Sequence, residues 1–458
     1  MSKAIAKINQ LSSDLILGDN REYAIYVCQQ RAIPKIEDGL KNGQRIALWL
    51  LRNRAEKIKT FALAGLMGYE KLYVHGEASA NNAISLLAAP YKNNQPLIEG
   101  HGQFGSRLKP VDGIGAPRYT EVRRSKPSEA FLYQDLDLIP LEDNYDGSNV
   151  QPQHFLPLIP NVLLNGVSGV AVGWSTEILP RKLKGLIQAT QDALAGRPIK
   201  GLEPHMERYN IGVRNIAGNQ WEFSGKATVI DTSTIHITEL PPSLDIEDFR
   251  TRLIKMEDDD LIKSYTDRSA VGVNIQVKFL RGKVAGWTDD KCLDFFKLRE
   301  KVTERIVVVD WGGQTISTYP SAEKVVEDFV AWRLGWYTKR FEKMLSDALY
   351  ELNYWHALRA LFKNSFPKRL GTFADRQAVE DDVTTVVTKA KLVLDDKQLD
   401  RVVNLPTYRW TKAFEQEVDR RIAEIDLSIK DYQDILKSPD RLKAVYNDEL
   451  EELKKIKL

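Results

Sequence analysis

Gly115-Ala-Pro-Arg-Tyr-Thr-Glu-Val-Arg-Arg124 sets a tyrosine directly behind an arginine in a loop, with two more arginines close after it. A phenol ionises only near pH ~10, so a tyrosine that attacks at neutral pH needs cations or a metal ion beside it. The same guanidinium groups neutralise charge that builds on a phosphoryl group under attack. Tyr119 with Arg118 is therefore a candidate nucleophile toward a phosphodiester, and Arg123 and Arg124 are candidate phosphate contacts. The ordinary reading of any one of the 17 tyrosines is structural, so this one has to be judged by its surroundings.

Those surroundings are basic. Residues 1–130 hold 19 Lys and Arg against 12 Asp and Glu, whereas the whole 458-residue chain carries a formal net charge of only +2. A basic end of this kind is where a polyanion would sit. With 43% hydrophobic and 28% charged residues, the chain reads as a folded protein of several domains, neither disordered nor fibrous. Cys28 and Cys292 are too few for a disulfide framework, and neither lies in a metal-ligand spacing. The first residues lack the apolar stretch of a signal peptide, and no run of about 18 uncharged apolar residues occurs; a cytoplasmic location with no membrane partner is expected.

Outward from residues 115–124 the texture changes three times. After an N-terminal tail (1–20), residues 21–150 alternate helical patterns such as Gln44-Arg-Ile-Ala-Leu-Trp-Leu-Leu-Arg52 with Gly- and Pro-rich basic loops, which predicts a compact helical domain. Residues 151–320 turn to short β-rich runs, among them Ile235-His-Ile-Thr and Arg305-Ile-Val-Val-Val, interrupted by helical stretches; an α+β domain is expected. In residues 321–363, Phe341, Leu345, Ala348, Leu352 and Trp355 follow a 4-3-4-3 spacing. In residues 410–458, Val418, Ile422, Ile425, Ile429, Tyr432 and Leu436 do the same. Two such seams can zip as an antiparallel coiled coil or lie separately on a globular core. Between them, in residues 364–409, the stretch Asn404-Leu-Pro-Thr-Tyr-Arg-Trp410 puts aromatic residues at a hairpin tip, which suggests self-association.

Other motifs are weaker. Gly100-His-Gly-Gln-Phe-Gly105 satisfies GxGxxG, but a loop follows it where a dinucleotide fingerprint needs a helix, so an NAD-dependent oxidoreductase ranks far behind. Asp258-Asp-Asp260 reads as a solvated helix end rather than a metal cluster. Of the six histidines only His75, in Tyr73-Val-His-Gly-Glu77, stands in a polar loop of the basic region.

Several segments, in order, resemble one family. Arg31-Ala-Ile-Pro-Lys-Ile-Glu-Asp-Gly-Leu-Lys41 with Gln44-Arg45 is similar to the opening signature of the DNA breakage-reunion subunit of type II topoisomerases, the gyrase A and topoisomerase IV A family. His75-Gly, Gly100 to Ser106, Arg118-Tyr119-Thr-Glu, Asp143-Asn-Tyr-Asp-Gly147, Ile159 to Gly173 and Ile235 to Pro242 follow in that family's order. The likeness runs from about residue 20 to the end, and in length and ending the chain is like the phage members, without the wrapping propeller of bacterial gyrase.

What the resemblance implies is specific. The fold would be multi-domain α+β: a winged-helix DNA-gate domain (21–150), an α/β tower (151–320), and a long antiparallel coiled coil (321–363 with 410–458) carrying a C-gate dimerisation domain (364–409). Tyr119 would bond to a DNA 5′-phosphate with Arg118 beside it; Arg31 and His75 would support the site, and Lys41, Arg45, Arg123 and Arg124 would contact DNA. Ile159 would be the apolar wedge that bends the duplex. The partners would be double-stranded DNA, a second copy of the chain, and a large subunit that holds Mg²⁺ and ATP. Departures exist: Gln44-Arg45-Ile46 stands where relatives often have His-Arg-Arg, Tyr73 where a second histidine is common, and Ala78 where many bacterial members carry the serine associated with quinolone binding. From that last substitution we hypothesise reduced quinolone sensitivity; an Ala78→Ser variant with unchanged drug-stabilised cleavage would refute it. The competing class is a DNA-binding scaffold that kept the fold and lost the chemistry.

Overall fold

Where apolar residues recur at helical spacing in residues 42–51, the chain forms α1 (Asn42–Leu51), and its Ile46, Ala47, Leu48 and Leu51 are fully buried. The structure is a computed structural model that describes residue 18 and residues 20–456. Most of the expected tail, residues 1–17 and 19, lies outside the described residues. The chain divides into two compact units, residues up to Arg333 together with those from Glu449 onward, and Leu334–Asp448.

In the first unit, α1 packs with α2 (Thr60–Tyr69) and α3 (Glu77–Ala88). A three-stranded antiparallel sheet backs them: β1 (Ile58–Lys59), β2 (Ile98–His101) and β3 (Glu121–Arg124), with β3 in the middle. Val122, wholly buried, sits opposite both Ile58 and Gly100 and so fixes the register. Gly100 lies inside β2, and the next helix begins only at Lys126, so the Gly-rich run closes a turn rather than opening a helix.

The segment 33–41 is laced to residues 153–162. Lys35 Nζ donates to the Gln153 carbonyl (2.7 Å), and the amide of Asn161 donates to the Asp38 carbonyl (2.7 Å). Gly39 makes the turn at φ +67°, and a Cβ there would stand 2.4 Å from the Val162 nitrogen, so only glycine fits. Further on, β4 (Val167–Val170) and β5 (Ser175–Ile178) form a hairpin.

His154 is buried beside this lacing, its Nδ1 3.0 Å from the Phe155 carbonyl and its ring edge-on to Trp332. Burial, only partly opposed by the Phe155 carbonyl, lowers its pKa to about 4. Because the folded value lies below the ordinary one, the unfolded chain takes up the proton first, and stability held above pH ~6.5 falls as pH drops toward 4. The loss should reach about 3 kcal/mol from this group alone. Urea unfolding at pH 7 and pH 5 is expected to show it, and His154→Gln to flatten the difference; an equal drop in the variant would assign the acid lability elsewhere.

The rest of the unit holds a four-stranded antiparallel sheet made of β6 (Lys226–Asp231), β7 (Thr234–Glu239), β8 (Ser264–Asp267) and β9 (Ile275–Lys278), in the order β6-β7-β9-β8. Helix α4 (Ile246–Asp258) covers it through Phe249 and Leu253, which join Ile235, Ile237, Ile275 and Val277 in one core. Asp258, Asp259 and Asp260 end that helix in solvent. Among the described residues no helix is long and apolar enough to cross a membrane.

The second unit is helical, made of α5 (Ala322–Lys363) from Leu334 on, α6 (Arg376–Lys389), α7 (Asp396–Val403), α8 (Lys412–Lys437) and α9 (Pro439–Lys455) up to Asp448. Ring contacts Phe341–Tyr432 and Trp355–Phe414 run in opposite senses along α5 and α8, as an antiparallel pair requires. Two details differ from the sequence reading. The second helical stretch is two helices, because Pro439 has no N–H to continue α8 and is instead preset for the first turn of α9. Moreover, Trp410 is partly covered by its own chain, its ring tilted against Phe362 (5.3 Å) and Phe366 (5.0 Å), so of the two aromatic residues at the tip Tyr408 is the exposed one, at 74%.

Candidate active site and nucleic-acid interface

Tyr119 closes a tight turn, its N–H donating to the Ala116 carbonyl (2.9 Å). The next residue, Thr120, is buried and doubly fixed to the start of α2: its hydroxyl meets that of Thr60 at 2.7 Å, and its carbonyl accepts the Thr60 N–H at 3.1 Å. The tyrosine thus stands on a rigid junction of helix and sheet while its own side chain is 70% exposed. The Arg118 guanidinium lies 4.7 Å from its ring centroid. Both side chains face solvent.

The remaining cations of the stretch are engaged locally. Arg123 pairs with Glu99 (2.8 Å), while Arg124 donates to the Arg52 carbonyl (2.9 Å) and pairs with Glu129 (3.3 Å). Glu121 is held by Lys59 (3.0 Å). Arg118 alone of the three arginines has no carboxylate partner among the described residues, which leaves its charge available for a phosphate. Arg123 and Arg124 act first as strand fasteners.

A second group forms around His75. The N-terminal segment runs as a helix, Asn20–Tyr26, that widens into a π-helical turn, Val27–Ala32, and leaves Arg31 exposed. His75 is hydrogen-bonded through Nε2 to the Tyr26 hydroxyl (3.1 Å) and meets the Tyr73 ring edge-on at 5.1 Å. Partial burial, then the nearby charge of Arg31, lowers its pKa below the usual histidine value, so it is neutral at pH 7. A cleft of about 320 Å³ opens beside it, lined by Tyr26, Asn42, Tyr73, Asp143 and Tyr145. Lys41 donates from Nζ to the Ser168 carbonyl (2.8 Å) at the base of the β4–β5 tip. Burial, then the charge of Lys92, lowers its pKa. Lys92 is a basic neighbour that the sequence pattern did not single out. Among the described residues no hydrogen bond, ion pair or ring contact joins this group to Arg118 and Tyr119.

Two of the expected DNA contacts are buried. Arg45 is 3% exposed: its Nε and one terminal nitrogen grip both oxygens of Asp38 at 2.7 and 2.9 Å, and the Leu40 carbonyl accepts a further bond at 2.8 Å. Held this way, the guanidinium is spent on Asp38 and Leu40 and is not presented to a phosphate. Ile159 is wholly buried and does not face a base stack in this structure. Its segment does carry an exposed apolar residue: Val170, 82% exposed at the end of β4, followed by Val172 and Trp174.

No group of three or more His, Cys, Asp or Glu that could hold a metal ion occurs among the described residues. The surroundings of Tyr119 offer cations and one committed carboxylate, a donor set that does not fit Mg²⁺.

A family model for the A chain of DNA gyrase and topoisomerase IV matches residues 31–451. The chain belongs to that family. It is accordingly a type II DNA topoisomerase subunit, of the isomerase class, whose kind works on DNA with partner subunits. It is 29% identical to the DNA topoisomerase medium subunit of Enterobacteria phage T4, over 97% of this chain and 99% of that one. It is 30% identical to the Caenorhabditis elegans DNA topoisomerase 2 top-2 over 71% of the chain, but spans only 22% of that larger protein. The fold matches a crystal structure of the Plasmodium falciparum topoisomerase II DNA-binding, cleavage and re-ligation domain, with TM-score 0.83 and 21% identity, over 96% of this chain and 64% of that one.

Proposed function

We propose that this protein makes the transient double-strand break of an ATP-dependent type II topoisomerase, with Tyr119 as the nucleophile. The supporting observation is the exposed Tyr119–Arg118 pair on the rigid Thr60–Thr120 junction. The Tyr119 oxygen bonds to phosphorus, the DNA 3′-oxygen leaves with a proton, and one phosphate ester replaces another. Since no ester is lost to water, resealing is the same step reversed and needs no nucleotide. Arg118 carries the charge of the phosphoryl group during transfer.

Domain by domain, residues 21–150 act as a winged-helix DNA gate, 151–320 as a tower, the two long helical stretches as a coiled coil, and 364–409 as a C-gate at which two copies pair, with Tyr408 offered at its tip. Two copies supply two tyrosines, one per strand. The Arg31–His75 group, separate from Tyr119 within one chain, completes a site across the pair. Mg²⁺ and ATP belong to a large partner subunit in the same cytoplasm, where relaxation and decatenation during phage DNA replication is the activity.

The test is strand passage: the chain with its ATPase partner, ATP and Mg²⁺ is expected to decatenate linked DNA circles. DNA binding with no strand passage under any partner would favour the scaffold.

The wedge passes from Ile159 to Val170. Val170→Ala removes two methyl groups from the inserted tip and should reduce the bent duplex population roughly tenfold, by about 1–2 kcal/mol. End-to-end fluorescence transfer on a labelled duplex reads this. Ile159→Val should leave the bend intact and affect only stability, and the reverse result would restore Ile159.

Phosphate contacts dominate this surface, so binding should weaken steeply with salt and show little sequence preference.

A further inference from the structure

The hairpin that presents Val170 rests on the segment that presents Arg31. A Cβ on Gly169 would stand 2.1 Å from the Ala32 carbonyl oxygen and 3.2 Å from Lys41 Nζ. A backbone oxygen cannot swing aside as a side-chain tip does, so any larger residue must move the hairpin or the helix. Gly169 is not among the residues with positive φ; it is needed for closeness and not for an unusual backbone.

The same seam is fastened at three more points. Lys41 Nζ donates to the Ser168 carbonyl (2.8 Å), the Cys28 thiol faces the Val172 carbonyl (3.7 Å), and Ala171 packs on the small core of Cys28, Ala32, Ile33, Val307 and Val309. These contacts bracket Val170 on both sides, and on the opposing segment they bracket Arg31.

We infer that Gly169 is a positioning residue: it lets the Val170 hairpin seat directly on the Ala32 carbonyl, so that the wedge and the cations Arg31 and Lys41 keep one fixed spacing along the bound duplex. Bending the DNA at the wedge then sets where the scissile phosphate lies, a coupling that presupposes the cleavage chemistry proposed above. A displacement of about 1 Å in such a site can cost on the order of 100-fold in rate. Gly169→Ala forces at least that.

The experiment uses the chain with Mg²⁺ and its large partner subunit, and reads two signals: bending by fluorescence transfer, and detergent-trapped covalent adduct. Each is measured on an intact duplex and on one gapped at the wedge step, which bends without unstacking. For Gly169→Ala the adduct on intact duplex is expected to fall roughly 10- to 100-fold together with the bent population, and the gap to restore it to within about threefold of wild type. Wild-type bending and cleavage by the variant would overturn the inference, as would normal bending with cleavage lost on both duplexes. Absence of adduct from the wild-type complex on either duplex would instead sink the cleavage reading itself. Should Gly169→Ala fail to fold, as thermal unfolding would show, Lys41→Met cuts the tether to Ser168 without adding an atom at Ala32. Its loss should likewise be rescued by the gap. A loss that the gap leaves untouched would make Lys41 a phosphate contact only and contradict the coupling.

Discussion

Tyr119→Phe is expected to remove all covalent DNA linkage and all strand passage while leaving duplex affinity and unfolding midpoint within error of wild type. The separation follows from the geometry. The side chain is 70% exposed and its hydroxyl makes no hydrogen bond among the described residues, whereas the fold at this point is held by Thr120, Thr60 and Val122. Removing one oxygen therefore deletes a nucleophile and almost nothing else. Arg118→Ala should reduce cleavage by roughly 10²- to 10³-fold, the usual range for losing one preorganised charge stabiliser, and Arg118→Lys should recover part of it. A Tyr119→Phe protein that still links to DNA would move the nucleophile to another residue. One that loses DNA affinity as well would make Tyr119 a binding residue.

The largest stability effect is expected at a residue that the family likeness assigned to DNA. Arg45→Ala leaves Asp38, wholly buried, without its cation. Burial by itself would raise that carboxyl's pKa; the Arg45 guanidinium and the Phe155 N–H more than offset this and hold it below the ordinary range. Stripping one partner from a buried pair costs about 3–5 kcal/mol, and here the Asp38 turn also carries the Leu40 and Asn161 bonds. Denaturant unfolding should show a loss of that size in Arg45→Ala, and the double variant Arg45→Met with Asp38→Asn should recover much of it, since the uncompensated charge is gone. If Arg45→Ala instead leaves stability alone and lowers the salt dependence of DNA binding by one phosphate, the side chain swings out to DNA and the buried pair is incidental.

These two arginines show what the sequence made legible. Arg118 lies in a Gly- and Pro-opened loop whose nearest acid, Glu121, is taken by Lys59, and no carboxylate pairs with it among the described residues. Arg45 lies inside an apolar helical run, Ile46 to Leu51, where a charge has to be either exposed or paired; its partner, Asp38, sits seven residues away across a glycine turn, and nothing in the spacing says so. The burial of Ile159 has a related reason. Ile159 and Val170 lie in one apolar segment, and only the folded placement, Ile159 in the core and Val170 at the end of β4 where the hairpin turns, shows which of them points outward. The break at Pro439 follows from proline chemistry alone, even though the apolar seam from Val418 to Leu436 runs unbroken up to it. The aromatic tip at 404–410 exposed less than its composition suggested, because Phe362 and Phe366 reach Trp410 from 44 or more residues away. Helices, sheet class and the exposed Arg118–Tyr119 loop are local properties of sequence; pairing and burial are not.

The most direct measurement of the central claim is covalent capture. The chain, its large partner subunit, plasmid and Mg²⁺ are mixed, stopped with detergent and digested, and the nucleotide-bearing peptide is identified by mass spectrometry. The expected product is a 5′-phosphotyrosyl peptide containing Tyr119, formed only when the partner is present. A link at any other residue, or DNA bound by the full complex with no link at all, would contradict it.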